Sequence, residues 1–386
     1  MRLLIYTWLH EYTLTDIVST LKEMNYDLSF FEYDLYQKNK SDNPEFYQAA
    51  CEYLDSNQFD AAFSVNYFPD FAKACFEHNL TYISWTYDCP LDIVNIEDTL
   101  GLPTNRAFFF DRNQCDEFQS HGINTVFHLP LAVNIARLST FSYSEKYASD
   151  ISFVGNLYPS SYPTLSKYMN EYFTGYTRGL IEAQKNTYGA YLTKEALTDS
   201  FLKSVNDDLK KHNCPYSDDT RDVSKNQLAY LLASQATYEN RMLCLGLLSK
   251  FNTYWYTSGS SDILPNISRK NPVDYLNEMP VVFKSSRVNL HIGHHGIPSG
   301  ISLRQLDILG CGGFLLSSFQ PELFEYFVPG EDFDYFTCPQ EAYEKSAFYL
   351  SHEDTRKNIA ESGYKKVIDI FDYHTKLKEL FDMALN

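Results

Sequence analysis

The segment Arg287–Gly330, RVNLHIGHHGIPSGISLRQLDILGCGGFLLSSFQPELFEYFVPG, carries the densest set of residues able to do chemistry. Its apolar run Val288–Ile292 reads as a strand, followed by a loop bearing Gly293, Gly296 and Gly300. A helix is expected from about Ile301, and the pair Gly312-Gly313 opens the next strand. Backbone N–H groups at a helix start attract anions. The loop Gly296–Ser302, with the hydroxyls of Ser299 and Ser302, therefore suits a diphosphate. Arg304 can neutralise phosphate charge, and the Asp307 carboxylate further along the helix can accept hydrogen bonds from ribose hydroxyls. The same residues also suit a plainer arrangement, a glycine-bearing loop that starts a helix with Arg304 and Asp307 as a solvated i,i+3 pair.

Other chemistry-bearing residues are more scattered. Asp88, in Trp85-Thr86-Tyr87-Asp88-Cys89-Pro90, follows directly on an apolar run, so it lies at a strand end. A carboxylate there can act as general base if burial raises its pKa; it can equally cap the turn before Pro90. His10, just after the first apolar run, is the rival base because its side chain titrates near neutrality. His291 and His295 stand at i,i+4 spacing, but they straddle a strand and a loop and so do not share a helical face as metal ligands would. Contact with phosphate or sugar suits His294 or His295 better, and loop packing is the plainer role. Asp332-Phe333-Asp334 imitates a D-x-D metal motif, but it follows the turn Pro329-Gly330.

These residues need elements to position them. In the first 135 residues, bursts at Leu3–Trp8, Leu28–Tyr33, Ala61–Phe68, Tyr82–Tyr87, Ala107–Phe110 and Thr125–Leu131 alternate with helix-length amphipathic stretches. Strands alternating with helices imply βαβ units and a parallel sheet covered on both faces. A second series runs through DISFVGN, TYWYTSG, RVNLHIG and GGFLLSS. Between its first two members, from about 160 to 250, the periodicity is helical. Such sheets bind ligands beyond the carboxyl ends of their strands.

Composition narrows the function classes. At 386 residues the chain holds two or three domains of roughly 150 residues each. With 32 Lys+Arg against 50 Asp+Glu, its formal charge is −18. A surface that acidic repels phosphate backbones and anionic lipid, which argues against nucleic-acid and membrane-surface partners. None of the eight Cys forms a C-x-x-C pair, so zinc ribbons and redox motifs lack support. MRLLIYTWLHEY lacks a signal-peptide core, and no apolar run of about 18 residues occurs, so a cytoplasmic protein without stable membrane insertion is expected.

The segment 287–330 resembles the carboxyl-terminal domain of the CgeB-like (spore maturation protein) group of GT-B glycosyltransferases. The resemblance rests on Arg304-Gln305-Leu306-Asp307, Cys311-Gly312-Gly313-Phe314-Leu315-Leu316 and Pro329-Gly330. It extends through DISFVGNLYP and PVDYLNEMPVVFKSSRVNLHIG, and into FSVNYFP and YISWTYDCPL of the first half. It implies an α/β chain with two Rossmann-like domains facing across a cleft. Residues 1–140 would bind acceptor, and 141–358 would bind a nucleotide sugar and carry the helical elaboration at about 160–250. A helical tail at 359–386 would pack back on the first domain.

By position, Asp307 stands where the group has a ribose-binding Glu, and Gly296, Ser299, Gly300, Ile301 and Ser302 form the diphosphate loop. Ser299 replaces a Glu that contacts the sugar in related retaining enzymes. The Gly-Arg…Lys clamp of those relatives is absent, since the chain reads Gly155-Asn156-Leu157-Tyr158, so Arg304 or Arg241 would supply that charge. Gly259 and Tyr275 would lie near the base, with the Tyr275 ring stacking on it, and His294 near phosphate or sugar. The implied activity is a metal-independent, hexosyltransferase-type transfer that needs no cofactor. It would move a sugar from a nucleoside-diphosphate donor, a UDP-sugar foremost, to a hydroxyl acceptor in polysaccharide biosynthesis or on a glycan or protein. A nucleotide-sugar epimerase of the same fold and an inactive scaffold in spore or cell-surface assembly are the alternatives.

Overall fold

Two runs of five residues, Ala61–Val65 and Tyr82–Thr86, are buried at every position. A strand buried on both faces belongs in the interior of a sheet covered by helices. The computed structural model describes residues 1–8, 12–35, 42–91, 93, 95–217, 222–259, 264 and 266–385. It divides into two units. Unit 1 comprises Met1–Leu138, Gly300–Leu306 and Lys366–Asn386, and unit 2 comprises Ser139–Ser299 and Asp307–Lys365.

Unit 1 is built on a six-stranded parallel sheet: β1 (Arg2–Thr7), β2 (Asp27–Glu32), β3 (Ala61–Val65), β4 (Tyr82–Thr86), β5 (Asn105–Phe109) and β6 (Val126–His128). Their order is β2-β1-β3-β4-β5-β6. All six apolar bursts thus become strands. One face of the sheet is covered by an aromatic cluster in which Tyr6 meets Phe68 edge-on at 4.8 Å and lies 5.0 Å from Phe46. The aromatic richness of the sequence is in part core packing. The terminal helix Tyr373–Leu385 packs Phe381 against Tyr26, at 4.9 Å, and Phe63. Tyr373 and Tyr87 join their hydroxyls at 3.0 Å.

Unit 2 repeats the plan with β7 (Ser149–Val154), β8 (Thr253–Tyr256), β9 (Ser268–Lys270), β10 (Ser286–His291), β11 (Leu315–Ser318) and β12 (Asp334–Phe336). The order is β12-β11-β10-β7-β8-β9, again parallel throughout. The outermost strands β9 and β12 went unread, because SRK and DYF are three-residue segments that carry charged residues and form no apolar run. Between β7 and β8 run the helices Glu171–Lys185, Asp199–Lys211 and Lys225–Leu248, which share an apolar core of their own. The longest begins with a reciprocal cap between Ser224 and Gln227. No helix among the described residues is long and apolar enough to cross a membrane.

Candidate functional site

In unit 2 the expected residues gather at the carboxyl ends of β7, β8 and β10. After β7, the Asn156 side-chain oxygen accepts hydrogen bonds from the Thr257 hydroxyl at 2.9 Å and the Ser258 hydroxyl at 3.0 Å. The Gly259 N–H donates to Thr257 Oγ1, so Gly155, Asn156 and Gly259 form one polar patch on adjacent strand ends. Arg241, on the helix Lys225–Leu248, is buried there. Its Nε and Nη2 donate to the Ile292 carbonyl and its Nη1 to the Asn156 carbonyl. Its guanidinium also lies 4.9 Å from the centre of the Tyr158 ring. This cation therefore ties the loop after β7 to the loop after β10.

The loop after β10 begins with two buried imidazoles. His294 Nδ1 accepts from the Gly296 N–H, so Nε2 carries the proton and donates to Ser234 Oγ at 3.1 Å. His295 Nε2 lies 3.0 Å from Asn240 Nδ2, and its ring packs tilted against Tyr188 at 4.8 Å. Burial first, and then the Arg241 charge, push both imidazoles down to about 3, so each is neutral near pH 7. Ser299 donates to Glu322 Oε1 at 2.7 Å, and the Glu322 N–H returns to the Ser299 carbonyl. A buried carboxylate thus stands beside the position where a sugar-contacting acid was missed in the sequence. Asp307 is buried, and its Oδ1 accepts from the Tyr275 hydroxyl at 3.1 Å. The expectation joined Tyr275 to a base; the structure also joins it to the predicted ribose-binding acid.

In unit 1 the helix Leu303–Gly310 begins against the turn after β5. The Gly300 N–H donates to Asp111 Oδ2 at 2.7 Å, while Asp111 Oδ1 caps the helix Arg112–Ser120. A Cβ on Gly300 would lie 2.7 Å from Asp111 Cα, so only glycine permits this approach. Ser302 donates through its N–H and its hydroxyl to the Gln305 side chain, forming the helix cap; Ile301 is fully buried and Arg304 half-buried. Several amides of the loop Gly296–Ser302 therefore hold internal acceptors.

Asp88 is exposed, not buried as a raised pKa would require, because it lies past the end of β4 in a solvent-facing turn. Asn66 holds it, donating to Asp88 Oδ2 at 3.0 Å and accepting from the Tyr87 and Asp88 N–H groups. His10 lies outside the described residues. The carboxylates of the D-x-D imitation are spoken for: Asp332 by the Val328 N–H and the Ser362 hydroxyl, Asp334 by Lys345 and Tyr349. Among the described residues no three His, Cys, Asp or Glu side chains converge as metal ligands. Glu322, Asp111, Asn66 and Tyr275's hydroxyl bond escaped sequence reading, since each acts on a residue far away in the chain.

Residues 227–382, which contain most of the unit 2 site, match a family described as glycosyl transferase-like. Among solved structures, a glycosyltransferase from Rickettsia africae ESF-5 aligns at TM-score 0.57 and 9% identity, over 99% of this chain and 97% of that one. A sucrose-phosphate synthase from Thermosynechococcus elongatus aligns at 0.57 and 7%, over 99% and 98%. HepE from Anabaena, in complex with UDP-glucose, aligns at 0.55 and 11%, over 99% of both chains. The chain has the GT-B glycosyltransferase fold. No curated protein matches it in sequence. Within this GT-B chain, the matched family segment starts inside the helix that carries Arg241 and runs past Asp307 to the terminal helix.

Proposed function

We propose that this protein is a glycosyltransferase of the CgeB-like group that moves a hexose from a nucleoside-diphosphate sugar to a hydroxyl acceptor. The observation that carries the reading is the glycosyl transferase-like match over 227–382, because it spans Arg241, His294, Ser299 and Asp307 together. Asp307, buried and oriented by Tyr275, would accept hydrogen bonds from the ribose hydroxyls. The loop Gly296–Ser302 would hold the diphosphate, its amides exchanging internal acceptors such as the Asp111 carboxylate for phosphate oxygens. Arg304 and Arg241 would supply positive charge. Positioning and stabilisation of the departing diphosphate would provide most of the rate. A UDP-sugar donor is supported by the UDP-glucose complex of a protein of the same fold. Catalysis without a metal is supported by the internal partners of Asp332 and Asp334. A cytoplasmic setting follows from the sequence reading, and a role in polysaccharide assembly follows from the group resemblance.

Proton NMR of the purified chain with UDP-, GDP-, dTDP- and CMP-sugars, acceptor absent, tests this reading. Saturation transfer to one nucleotide sugar with slow release of free sugar is expected. Asp307→Ala should weaken that binding about tenfold to a hundredfold, the value of a hydrogen bond to a charged group. Conversion to an epimeric nucleotide sugar would replace the transferase with an isomerase. Silence across the panel would leave a non-catalytic scaffold.

A further inference from the structure

The opposite, amino-terminal edge of the unit 2 sheet holds a feature that the proposed transfer does not use. A cavity of about 540 Å³ opens there beside the start of β10, the turn leading into β11, and one face of the helix Glu353–Ile370. β10 is six residues long, so the cavity lies about 17–20 Å from the strand's carboxyl end. Among the described residues four cations line it, Lys284, Arg287, Arg356 and Lys357, against the single carboxylate of Glu361. In a chain of net charge −18 that is a local reversal of sign.

Two of these cations have carboxylate partners: Arg287 reaches Asp150 at 3.1 Å and Lys357 reaches Glu353 at 2.6 Å. The other two are held by main-chain oxygens, Lys284 by the Cys311 carbonyl at 3.0 Å and Arg356 by the Arg287 carbonyl at 2.7 Å. Arg356 is 8% exposed, and its Nε has no hydrogen-bond partner among the described residues. Burial and the neighbouring Arg287 charge both push this guanidinium down from its ordinary pKa. A desolvated cation with a donor unused and a like charge beside it is relieved by an anion. Glu361 is itself paired with Lys365 at 2.7 Å, so Lys284 and Arg356 leave two positive charges that no carboxylate among the described residues offsets. A dianion matches them better than a monoanion, and a phosphate presents the oxygens that guanidinium and ammonium donors recognise. The Tyr143 and Tyr364 rings give the rim an apolar side for an organic substituent.

We propose that this cavity binds a small phosphate monoester, separately from the nucleotide-sugar site. Its phosphate sits against Lys284 and Arg356 with Lys357 at the rim. The assignment does not depend on the transferase reading.

Calorimetric titration of the full chain, at ionic strength held constant with chloride, tests it with two probes. Inorganic phosphate should bind saturably, and phenyl phosphate should bind more tightly. Lys284→Gln should weaken both at least tenfold. Lys357→Glu, at an exposed position where folding is not at stake, should weaken both by a similar factor, while Arg304→Gln leaves them unchanged. Absence of saturable binding overturns the proposal, as do unaltered affinities in both lysine variants. Loss of binding in Arg304→Gln alone overturns it too, by moving the phosphate to the loop Gly296–Ser302. Phenyl phosphate binding no tighter than phosphate overturns the assignment of an organic monoester.

Discussion

Asp88 shows how a single side chain divides between chemistry and architecture. Its carboxylate is exposed and held by the Asn66 amide, which also accepts from two amides of the same turn. That arrangement gives the acid a fixed direction without the burial expected of a tuned base. If Asp88 deprotonates the acceptor, Asp88→Asn should slow transfer at least a hundredfold, while donor affinity stays within about a factor of two. Steady-state kinetics with separate donor titration reads both, and a near-normal rate would leave Asp88 as a turn residue. Ser299 poses the complementary case. In sequence it is a missing acid; in the fold, Glu322 stands against it at 2.7 Å from 23 positions away. Asp307 was legible from its spacing along one helix, whereas its partner Tyr275, 32 residues earlier, was not.

At the scale of elements, apolar runs flanked by polar breaks located ten of the twelve strands among the described residues, because burial of a central parallel strand is written along its own length. Helix ends were also local, as the Ser224 and Gln227 cap illustrates. Close approaches between elements were not. Gly363 lies inside the helix Glu353–Ile370, where a helix-propensity argument would have Ala stabilise by about 1 kcal/mol. A Cβ there would instead fall 2.2 Å from the Asp332 carbonyl oxygen, and that oxygen is main chain and cannot swing aside. Overpacking of this kind costs about 1–3 kcal/mol or more. Gly363→Ala should therefore lower the urea midpoint, with the slope of the transition unchanged. A raised midpoint would show that the helix shifts freely on Asp332.

For the whole molecule, the buried pair His294 and His295 sets an acid limit on stability. Both imidazoles titrate at about 3 when folded and at 6.5 when unfolded. Between those values the unfolded chain binds more protons, so stability is complete above about pH 6.5 and falls as pH is lowered. At pH 5 the loss amounts to about 2 kcal/mol per imidazole. Glu239 adds a separate loss at lower pH. Burial raises its pKa, but hydrogen bonds from Arg178, Gln235 and Lys185 outweigh burial and bring it from 4.5 to about 2. Its stabilisation is present above about pH 4.5 and disappears below. Calorimetry from pH 7.5 to 5 should show a falling Tm, and a His294→Gln, His295→Gln double variant should be nearly flat over that interval. An unchanged slope in the variant would assign the loss to other groups.

From the sequence alone came the α/β class, two parallel sheets, the helical insert between β7 and β8, and the acid and loop of the candidate donor site. Each depends on periodicity, runs or spacing within one stretch of chain. Only the tertiary structure decided that Asn66 holds Asp88, that Glu322 faces Ser299, that two histidines are neutral, and that Lys284 and Arg356 share one cavity. Those facts arise from desolvation and from partners brought together across tens of residues, and electrostatic energies depend on such distances in space, whatever the separation along the chain.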